Sequence, residues 1–199
     1  MAELKKKPAV TLSHEVECDE AYVMAGHKGQ PEVVKSKGRK GRRRRRKSKS
    51  GRGTMEKEKP PVFGMIERGG QVVIHLLANV KQKTIEPFIK DTIESGTLVA
   101  HIYTDEYSIY ARLERWGYAH KSVNHGRGEY ARDEDSDGFC EVHVNTMEGF
   151  WSLLRSWLRP HRGISQEKLP LYLGFFEFVH NVRKRGKALL HALIELLVT

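Results

Sequence analysis

The order of its short apolar runs restricts this chain to few folds. Apolar and polar residues alternate over residues 16–23, and two further strand-like runs, 62–67 and 71–77, flank the turn Arg68-Gly69-Gly70. Alternation with a period of two is typical of strands, and a glycine-containing turn between two such runs is typical of a hairpin. The three runs therefore predict an antiparallel meander in which the first strand pairs with the second.

The middle of the chain then alternates helices with strands. Residues 85–95 carry apolar side chains on one side of a helix, with Thr84 as the expected N-cap. A nearly continuous apolar run at 98–103 follows, as in a strand that is covered on both faces. Residues 107–116 are helix-like, and 119–123 predict a further short strand.

The last part of the chain is expected to be helical. The helix that bears Glu148 is expected to bury a face with Leu153, Leu154, Trp157 and Leu158, and residues 169–198 predict one or two more helices. The complete order is three strands, helix, strand, helix, strand, helix. This order predicts an α/β fold with a ribonuclease H-like mixed sheet flanked by helices.

A basic insertion follows the first strand. Residues 26–60 consist largely of Gly, Lys, Arg, Ser and Pro, and this composition predicts a long disordered basic loop. The formal net charge is +10 and the isoelectric point is near 9.6, and residues 35–52 carry most of the excess. A surplus of this kind favours a polyanionic partner.

At 199 residues the chain is expected to form one domain with appendages. We predict an N-terminal tail at 1–13, an α/β domain at 14–160 and a helical segment at 161–199 that packs on the domain. No apolar run is long enough to cross a membrane, and the first residues lack a signal peptide. Cys18 and Cys140 are too few for a disulfide framework, so we expect buried thiols and a cytoplasmic location.

Three acidic residues can meet in such a fold. Asp19 lies in the first strand and Asp105 follows the fourth, and these strands are neighbours in a ribonuclease H-like sheet. The next helix brings Glu148 across to them, with Arg155 two turns further along the same side. A lone acid at a strand end is more often a turn residue, whereas an acid inside an apolar strand is costly to bury without a cation.

Three short blocks of sequence around these acids resemble a known family. The blocks are Asp19-Glu20-Ala21-Tyr22-Val23, Tyr103-Thr104-Asp105-Glu106-Tyr107 and His143-Val144-Asn145-Thr146-Met147-Glu148-Gly149-Phe150-Trp151. They resemble the catalytic blocks of bacterial insertion-sequence DDE transposases of the ISXO-like group, which is related to the Merlin elements. The resemblance covers about residues 14–185.

The resemblance implies a transposase that cleaves DNA at the ends of a mobile element and transfers the strands to a target. Its catalytic residues would be Asp19, Asp105 and either Glu148 or Asn145, because parts of the family assign the third position to the asparagine. Glu20 competes with Asp19 for the first position, but we expect it on the opposite face of the strand. The domain at 14–160 would then be the catalytic domain.

Strand cleavage and joining are in-line displacements at phosphorus, for which two divalent cations about 3.5–4 Å apart are well suited. Mg²⁺ prefers carboxylate, water and phosphate oxygens, so three acids without a histidine and cysteine set fit Mg²⁺ or Mn²⁺. We expect Asp19 to bind both cations, Asp105 one of them and Glu148 the other.

The expected partner is double-stranded DNA, both element ends and target, bound by a homodimer or a larger assembly; no membrane or small-molecule substrate is expected. The candidate DNA contacts are His143, Arg155 and the basic run Arg42, Arg43, Arg44, Arg45, Arg46 and Lys47. Such a protein would be associated with the bacterial nucleoid. Two alternatives remain open: an inactive or truncated DNA-binding remnant, and a ribonuclease H-like nuclease that cuts without joining.

Overall fold

The computed structural model describes residues 10–38, 51–94 and 100–185. The strands are β1 (Glu15–Tyr22), β2 (Ala25–Gly26), β3 (Pro61–Glu67), β4 (Val72–Leu76), β5 (His101–Thr104), β6 (Ala119–Ser122), β7 (Ala131–Arg132), β8 (Val142–His143) and β9 (Ile164–Ser165). The α-helices are α1 (Pro31–Ser36), α2 (Gln82–Thr92), α3 (Asn145–Leu158) and α4 (Leu169–Arg185).

The central sheet has five strands in the order β4-β3-β1-β5-β6. β1 runs antiparallel to β3, and β3 runs antiparallel to β4, which confirms the predicted meander. β5 is parallel to β1 on its other side, and β6 is parallel to β5. Together with helices on both faces, this order confirms the predicted ribonuclease H-like mixed sheet.

Two apolar layers cover the sheet, because successive side chains of β1 point to opposite faces. On one face, Ile85 and Ile89 of α2 pack in a cluster with Cys18 of β1. On the other face, Met147 and Trp151 of α3 form a second cluster. The sheet is therefore the middle of three layers, and α3 lies over the face of β1 that carries Asp19.

Gly64 allows α3 to approach the sheet closely. It lies in β3 directly opposite Asp19 of β1. A Cβ atom at Gly64 would lie 2.2 Å from Met147 Cε and 2.6 Å from Trp151 Cζ2. Real Cβ contacts are essentially never this short, so a side chain here would push α3 away from the sheet beside Asp19.

Helix α4 covers the outer edge of β4 with two polar side chains. Glu177 Oε2 accepts a hydrogen bond from the backbone N–H of Ile74 at 3.0 Å. The Asn181 side-chain amide accepts from Val72 N at 2.7 Å and donates to Val72 O at 2.8 Å. These bonds occupy edge groups that would otherwise be open to another strand.

Several expectations about individual segments are wrong. The insertion at 26–60 is not disordered throughout, because Pro31–Ser36 forms α1 and residues 51–60 fold back on the domain; residues 39–50 lie outside the described part. Residues 107–116 form two 3-10 turns, Ser108–Tyr110 and Glu114–Trp116, rather than one helix.

The expected tail at 1–13 also ends earlier than predicted. Leu12 is fully buried and forms a bridge with Ile93, so order begins before residue 14. Cys18 is buried as expected, but Cys140 is exposed because it lies in the polar loop that precedes β8. Within the described ranges, none of the helices combines the length and apolar character needed to cross a bilayer.

Candidate active site

Asp19 lies within β1, and Asp105 directly follows the end of the neighbouring parallel strand β5. The register pairs Glu17 of β1 with Tyr103 of β5, and Asp19 and Asp105 each come two residues after this pair. Asp19 Oδ2 accepts a hydrogen bond from Trp151 Nε1 of α3 at 2.9 Å. Asp105 Oδ1 accepts from the backbone N–H of Tyr107 at 3.0 Å. Both carboxylates are therefore held in place by donors from separate elements.

The start of α3 is attached to β1 by a buried carboxylate. Glu17 is fully buried, and its Oε2 accepts a hydrogen bond from Met147 N in the first turn of α3 at 2.8 Å. Its Oε1 lies 2.8 Å from Arg68 Nε, so the buried charge is paired. A carboxylate at a helix N-terminus is favoured by the unpaired N–H groups there. This anchor and the apolar face of α3 together fix the start of the helix, which carries Glu148.

Glu148 is the third acid, on the exposed side of α3. Its charge contributes to raising the pKa of Asp19, after burial and the charge of Asp105. His125 Nδ1 lies 4.0 Å from Glu148 Oε1. Asn145 begins α3 three residues earlier and is also exposed, so both candidates for the third catalytic position face the same side of the helix.

The acids form a site with an excess of negative charge. Burial, followed by the charge of Asp105, raises the pKa of Asp19 from 3.8 to about 7. Burial also raises the pKa of Glu20 from 4.5 to about 8, with further contributions from Asp19 and Asp105. The pKa of Asp105 is likewise raised, again mainly by burial. A bound cation would relieve this repulsion, so the donor set fits a hard divalent metal.

The spacing of the acids bears on how cations could be held. In the described part of the chain, only Asp133, Asp135, Asp137 and Glu141 bring all their ligand atoms within 4.8 Å of one another. Asp19, Asp105 and Glu148 do not form such a tight group. Acids that would hold two separate cations need not form such a group, because the cations of a two-metal site are themselves about 3.5–4 Å apart.

A family model described as "ISXO2-like transposase domain" matches residues 11–181, which include all of these acids. The chain belongs to this family. A curated relative, "Uncharacterized protein in transposable element ISH50" of Halobacterium salinarum (strain ATCC 700922 / JCM 11081 / NRC-1), is 36% identical over 191 residues. The alignment covers 94% of this chain and 60% of the relative, so the chain spans about three fifths of that protein.

Two solved structures are also similar to this transposase domain. One is the HTLV-2 integrase catalytic core domain in complex with magnesium (dimeric form), with a TM-score of 0.42 and 10% identity over 86% of each chain. The other is the simian T-cell lymphotropic virus intasome in complex with PP2A regulatory subunit B56 gamma. It has a TM-score of 0.42 and 11% identity over 86% of this chain and 49% of that one.

The predicted DNA contacts of the transposase domain lie in different surroundings. His143 is part of the helix anchor, with Nδ1 3.1 Å from Glu17 Oε1, and burial lowers its pKa. Arg155 is exposed on α3, two turns beyond Glu148. The basic run Arg42, Arg43, Arg44, Arg45, Arg46 and Lys47 lies outside the described residues.

Sequence reasoning missed the residues that surround the acids. Glu20 does point to the opposite face from Asp19, where Tyr110 donates to it at 3.1 Å, yet its charge interacts with both aspartates. Trp151 is buried as expected for a core residue, but its indole N–H also binds Asp19. A pattern of apolar residues predicts that a tryptophan is buried, but it does not show that the indole N–H donates a hydrogen bond.

His125 was also missed, because a short polar loop gives no periodic signal. The backbone N–H groups of His125 and Gly126 each donate to the Glu106 carboxylate at 3.0 Å. Asn124 Oδ1 accepts from Arg127 N at 3.0 Å. These bonds shape the turn that carries the imidazole beside Glu148.

The acidic loop at 133–141 carries a recognisable sequence pattern. Aspartates at alternate positions followed by a glycine, Asp133-Glu134-Asp135-Ser136-Asp137-Gly138, are typical of the first half of a calcium-binding loop. Here Asp133, Asp135 and Asp137 each accept hydrogen bonds from the backbone of the loop itself. Their carboxylates therefore have a structural role in shaping the turn.

Proposed function

We propose that this transposase domain catalyses metal-dependent cleavage of DNA at the ends of a mobile element and transfer of the strands to target DNA. The observation that supports this most is the position of Asp105 beside Asp19 on neighbouring parallel strands, with the charge of Glu148 reaching Asp19. Family membership over residues 11–181 supports the same reaction class.

The residues that would hold the cations are Asp19, Asp105 and Glu148, with Asn145 as the competing third ligand. Carboxylate oxygens and a buried excess of negative charge are suited to Mg²⁺ or Mn²⁺. When bound, a pair of such cations supplies activation of the attacking oxygen and stabilisation of the leaving one. Asp19, whose pKa is raised by the charges of both other acids, would be the ligand shared by both cations.

The chain's own groups would orient these ligands. The indole N–H of Trp151 restricts the Asp19 carboxylate, and the backbone N–H of Tyr107 restricts that of Asp105. The anchor between Glu17 and Met147 N would hold the start of α3, and with it Glu148, in place relative to the aspartates. Water would be the nucleophile for nicking and a DNA 3′-hydroxyl for joining, so the protein needs no covalent intermediate.

Double-stranded DNA is the proposed substrate. The net charge of +10 and the basic run at 42–47 favour a phosphate backbone, independent of its sequence. Arg155 would extend this surface along α3. Joining two element ends to one target requires both ends to be held at once, so we propose that a homodimer or larger assembly acts on DNA at the nucleoid.

The test uses duplexes carrying the terminal sequences of the element that encodes the chain, labelled at one strand and incubated with Mg²⁺ or Mn²⁺. Metal-dependent nicking and joined products are expected from the unaltered protein. Asp105→Asn should lower the rate by at least about a thousandfold, because a ligand of the reacting centre is lost. Asp133→Asn is the matched control and should retain the rate.

The outcomes separate the competing functions. Loss of nicking in Asp133→Asn with retention in Asp105→Asn would move the metal site to the acidic loop and contradict the proposal. Binding of DNA without any cutting would indicate an inactive DNA-binding remnant. Cutting without joined products would indicate a nuclease.

A further inference from the structure

Residues 51–60, the return limb of the basic insertion, are firmly attached to the domain. Lys59 N donates to Thr54 O at 3.0 Å and Glu58 N donates to Met55 O at 3.1 Å, which closes a turn. Ala25 N then donates to Glu58 O at 3.0 Å, so the turn is joined to β2. The limb is further fixed by Gln166 Nε2, which donates to Met55 O at 2.5 Å and to Ala25 O at 3.1 Å.

A glycine makes this turn possible. A Cβ atom at Gly53 would lie 2.2 Å from Lys59 O, so only glycine fits against the opposite side of the turn. Gly53 is the immediate neighbour of Arg52, and the constraint therefore acts on the position of the arginine. The return limb presents Arg52 to the domain in a defined place.

Arg52 lies on the aromatic ring of Tyr107, next to the acids. Its Cζ atom is 3.5 Å from the ring centroid, within the range of a cation–π contact. Tyr107 is the residue whose backbone N–H binds Asp105. The charge of Arg52 lowers the pKa values of Asp105 and Glu20 against the larger effect of burial, so its field reaches the acidic site.

The chemistry of this arrangement suits a phosphate ligand. A guanidinium that stacks by its flat face keeps the N–H donors at its edge available, and these match phosphate oxygens in pairs. Arg52 is exposed to solvent, whereas Tyr107 beneath it is only partly exposed. A stacked arginine loses little conformational freedom on binding, which favours it over a mobile surface lysine.

We propose that Arg52 binds a backbone phosphate of the DNA strand that enters the acidic site, on the Glu20 side of Asp19. This inference rests on the proposed function and adds a positioning contact to it. The basic run at 42–47 ends five residues before Arg52, a span of at most about 18 Å of extended chain. Arg52 would then be the contact near that run with a defined place, on the ring of Tyr107.

The test measures binding of a fluorescent 30-base-pair duplex of arbitrary sequence by anisotropy, in EDTA, over a series of salt concentrations. Arg52→Gln should weaken binding by about tenfold and lower the slope of log affinity against log salt by about 1. Arg115→Gln is the matched control, because it removes the same charge at an exposed position, in the 3-10 turn Glu114–Trp116, away from the ring of Tyr107. It should leave both quantities unchanged.

Two variants at Tyr107 test whether the ring is the platform. Tyr107→Phe keeps the ring and should bind like the unaltered protein, whereas Tyr107→Leu should bind like Arg52→Gln. The double change Arg52→Gln with Tyr107→Leu should weaken DNA binding no more than either single change, because both single changes remove the same contact. Additive losses, or equal affinity of Arg52→Gln and Arg115→Gln, would overturn the inference.

A methylphosphonate placed at single positions of an element-end duplex locates the contact. One neutral phosphate next to the cleaved bond should weaken binding of the unaltered protein and have no further effect on Arg52→Gln. Full nicking activity in the unaltered protein, with an equal methylphosphonate effect in both proteins, would reject the inference while leaving the proposed function intact. Absence of nicking and binding in the unaltered protein would reject the proposed function itself.

Discussion

Replacing Asp19 by asparagine should stabilise the metal-free protein at alkaline pH. Burial and the charge of Asp105 raise the pKa of Asp19 from 3.8 to about 7 in the folded chain. Because the folded-state pKa lies above the unfolded one, the stability contributed by Asp19 is fully present below about pH 4 and is lost as pH rises through about 7. The asparagine side chain does not ionise, so Asp19→Asn lacks this part of the pH dependence of stability.

The size of the effect follows from the two pKa values. At ~1.4 kcal/mol per pKa unit, the difference between 3.8 and about 7 corresponds to about 4 kcal/mol at pH 8. About 2.5 kcal/mol of this is lost between pH 5 and pH 8. Glu20, with its pKa raised to about 8, adds to the same trend in both proteins.

Urea unfolding in EDTA at pH 5 and pH 8 measures this difference. The free energy of unfolding should fall between the two pH values in the unaltered protein, and it should fall by about 2.5 kcal/mol less in Asp19→Asn. At pH 8 the variant should melt at a higher temperature, by ~2–4 °C for each kcal/mol gained. Asp91→Asn, an exposed acid on α2, should follow the unaltered protein.

Added Mg²⁺ completes the test. The cation should stabilise the unaltered protein at pH 8 by relieving the repulsion among the acids, and it should have little effect on Asp19→Asn. If Asp19→Asn keeps the pH dependence of the unaltered protein, or is less stable at pH 8, the argument from buried negative charge is refuted.

Two further substitutions test how helices are positioned on the sheet. Gly64→Ala should destabilise the fold by ~1–3 kcal/mol, because its Cβ would meet Met147 and Trp151, and should lower nicking by displacing the donor to Asp19. Gly149→Ala is the control, because there is open space around its Cβ, and it should leave stability unchanged or raise it by up to ~1 kcal/mol. Equal changes in the free energy of unfolding for Gly64→Ala and Gly149→Ala, measured in urea, would reject the argument that α3 approaches the sheet closely at Gly64. Asn181→Ala should cost about 2–4 kcal/mol, because Val72 loses both partners at the buried edge of β4. Arg183→Ala, exposed on the same helix, is its control, and a loss below ~0.5 kcal/mol for Asn181→Ala would show that the edge finds other partners.

Local patterns predicted the elements that bury a regular apolar face. The alternation around β1 and the hairpin at Arg68 to Gly70 predicted the antiparallel half of the sheet, since these patterns follow from backbone geometry alone. Sequence patterns gave wrong predictions where the buried side chains do not follow the period of a helix or a strand. Residues 107–116 contain helix-forming side chains, yet the chain forms two 3-10 turns there, and just before the first of them Tyr107 donates its N–H to the side chain of Asp105.

The flanks of the insertion were mispredicted for a related reason. Composition indicates how little apolar surface residues 26–60 can bury, and this correctly excludes a core. Composition does not indicate that a few hydrogen bonds to elements distant in sequence can hold such a segment in place. Gln166 lies 111 residues from Met55, and its side chain nonetheless fixes the return limb.

The sequence by itself determined the order of the five sheet strands and of α2, α3 and α4, the chemical type of the three acids and the family to which the chain belongs. Tertiary structure alone decided what surrounds those acids. Trp151 binds Asp19 across 132 residues, and Glu17 binds the start of α3 across 130. Local periodicity carries no information on such pairs, because they depend on the register of two strands and the docking of a helix. For the same reason only the folded chain brings Arg52 onto Tyr107, and with it one end of the basic insertion to the acids.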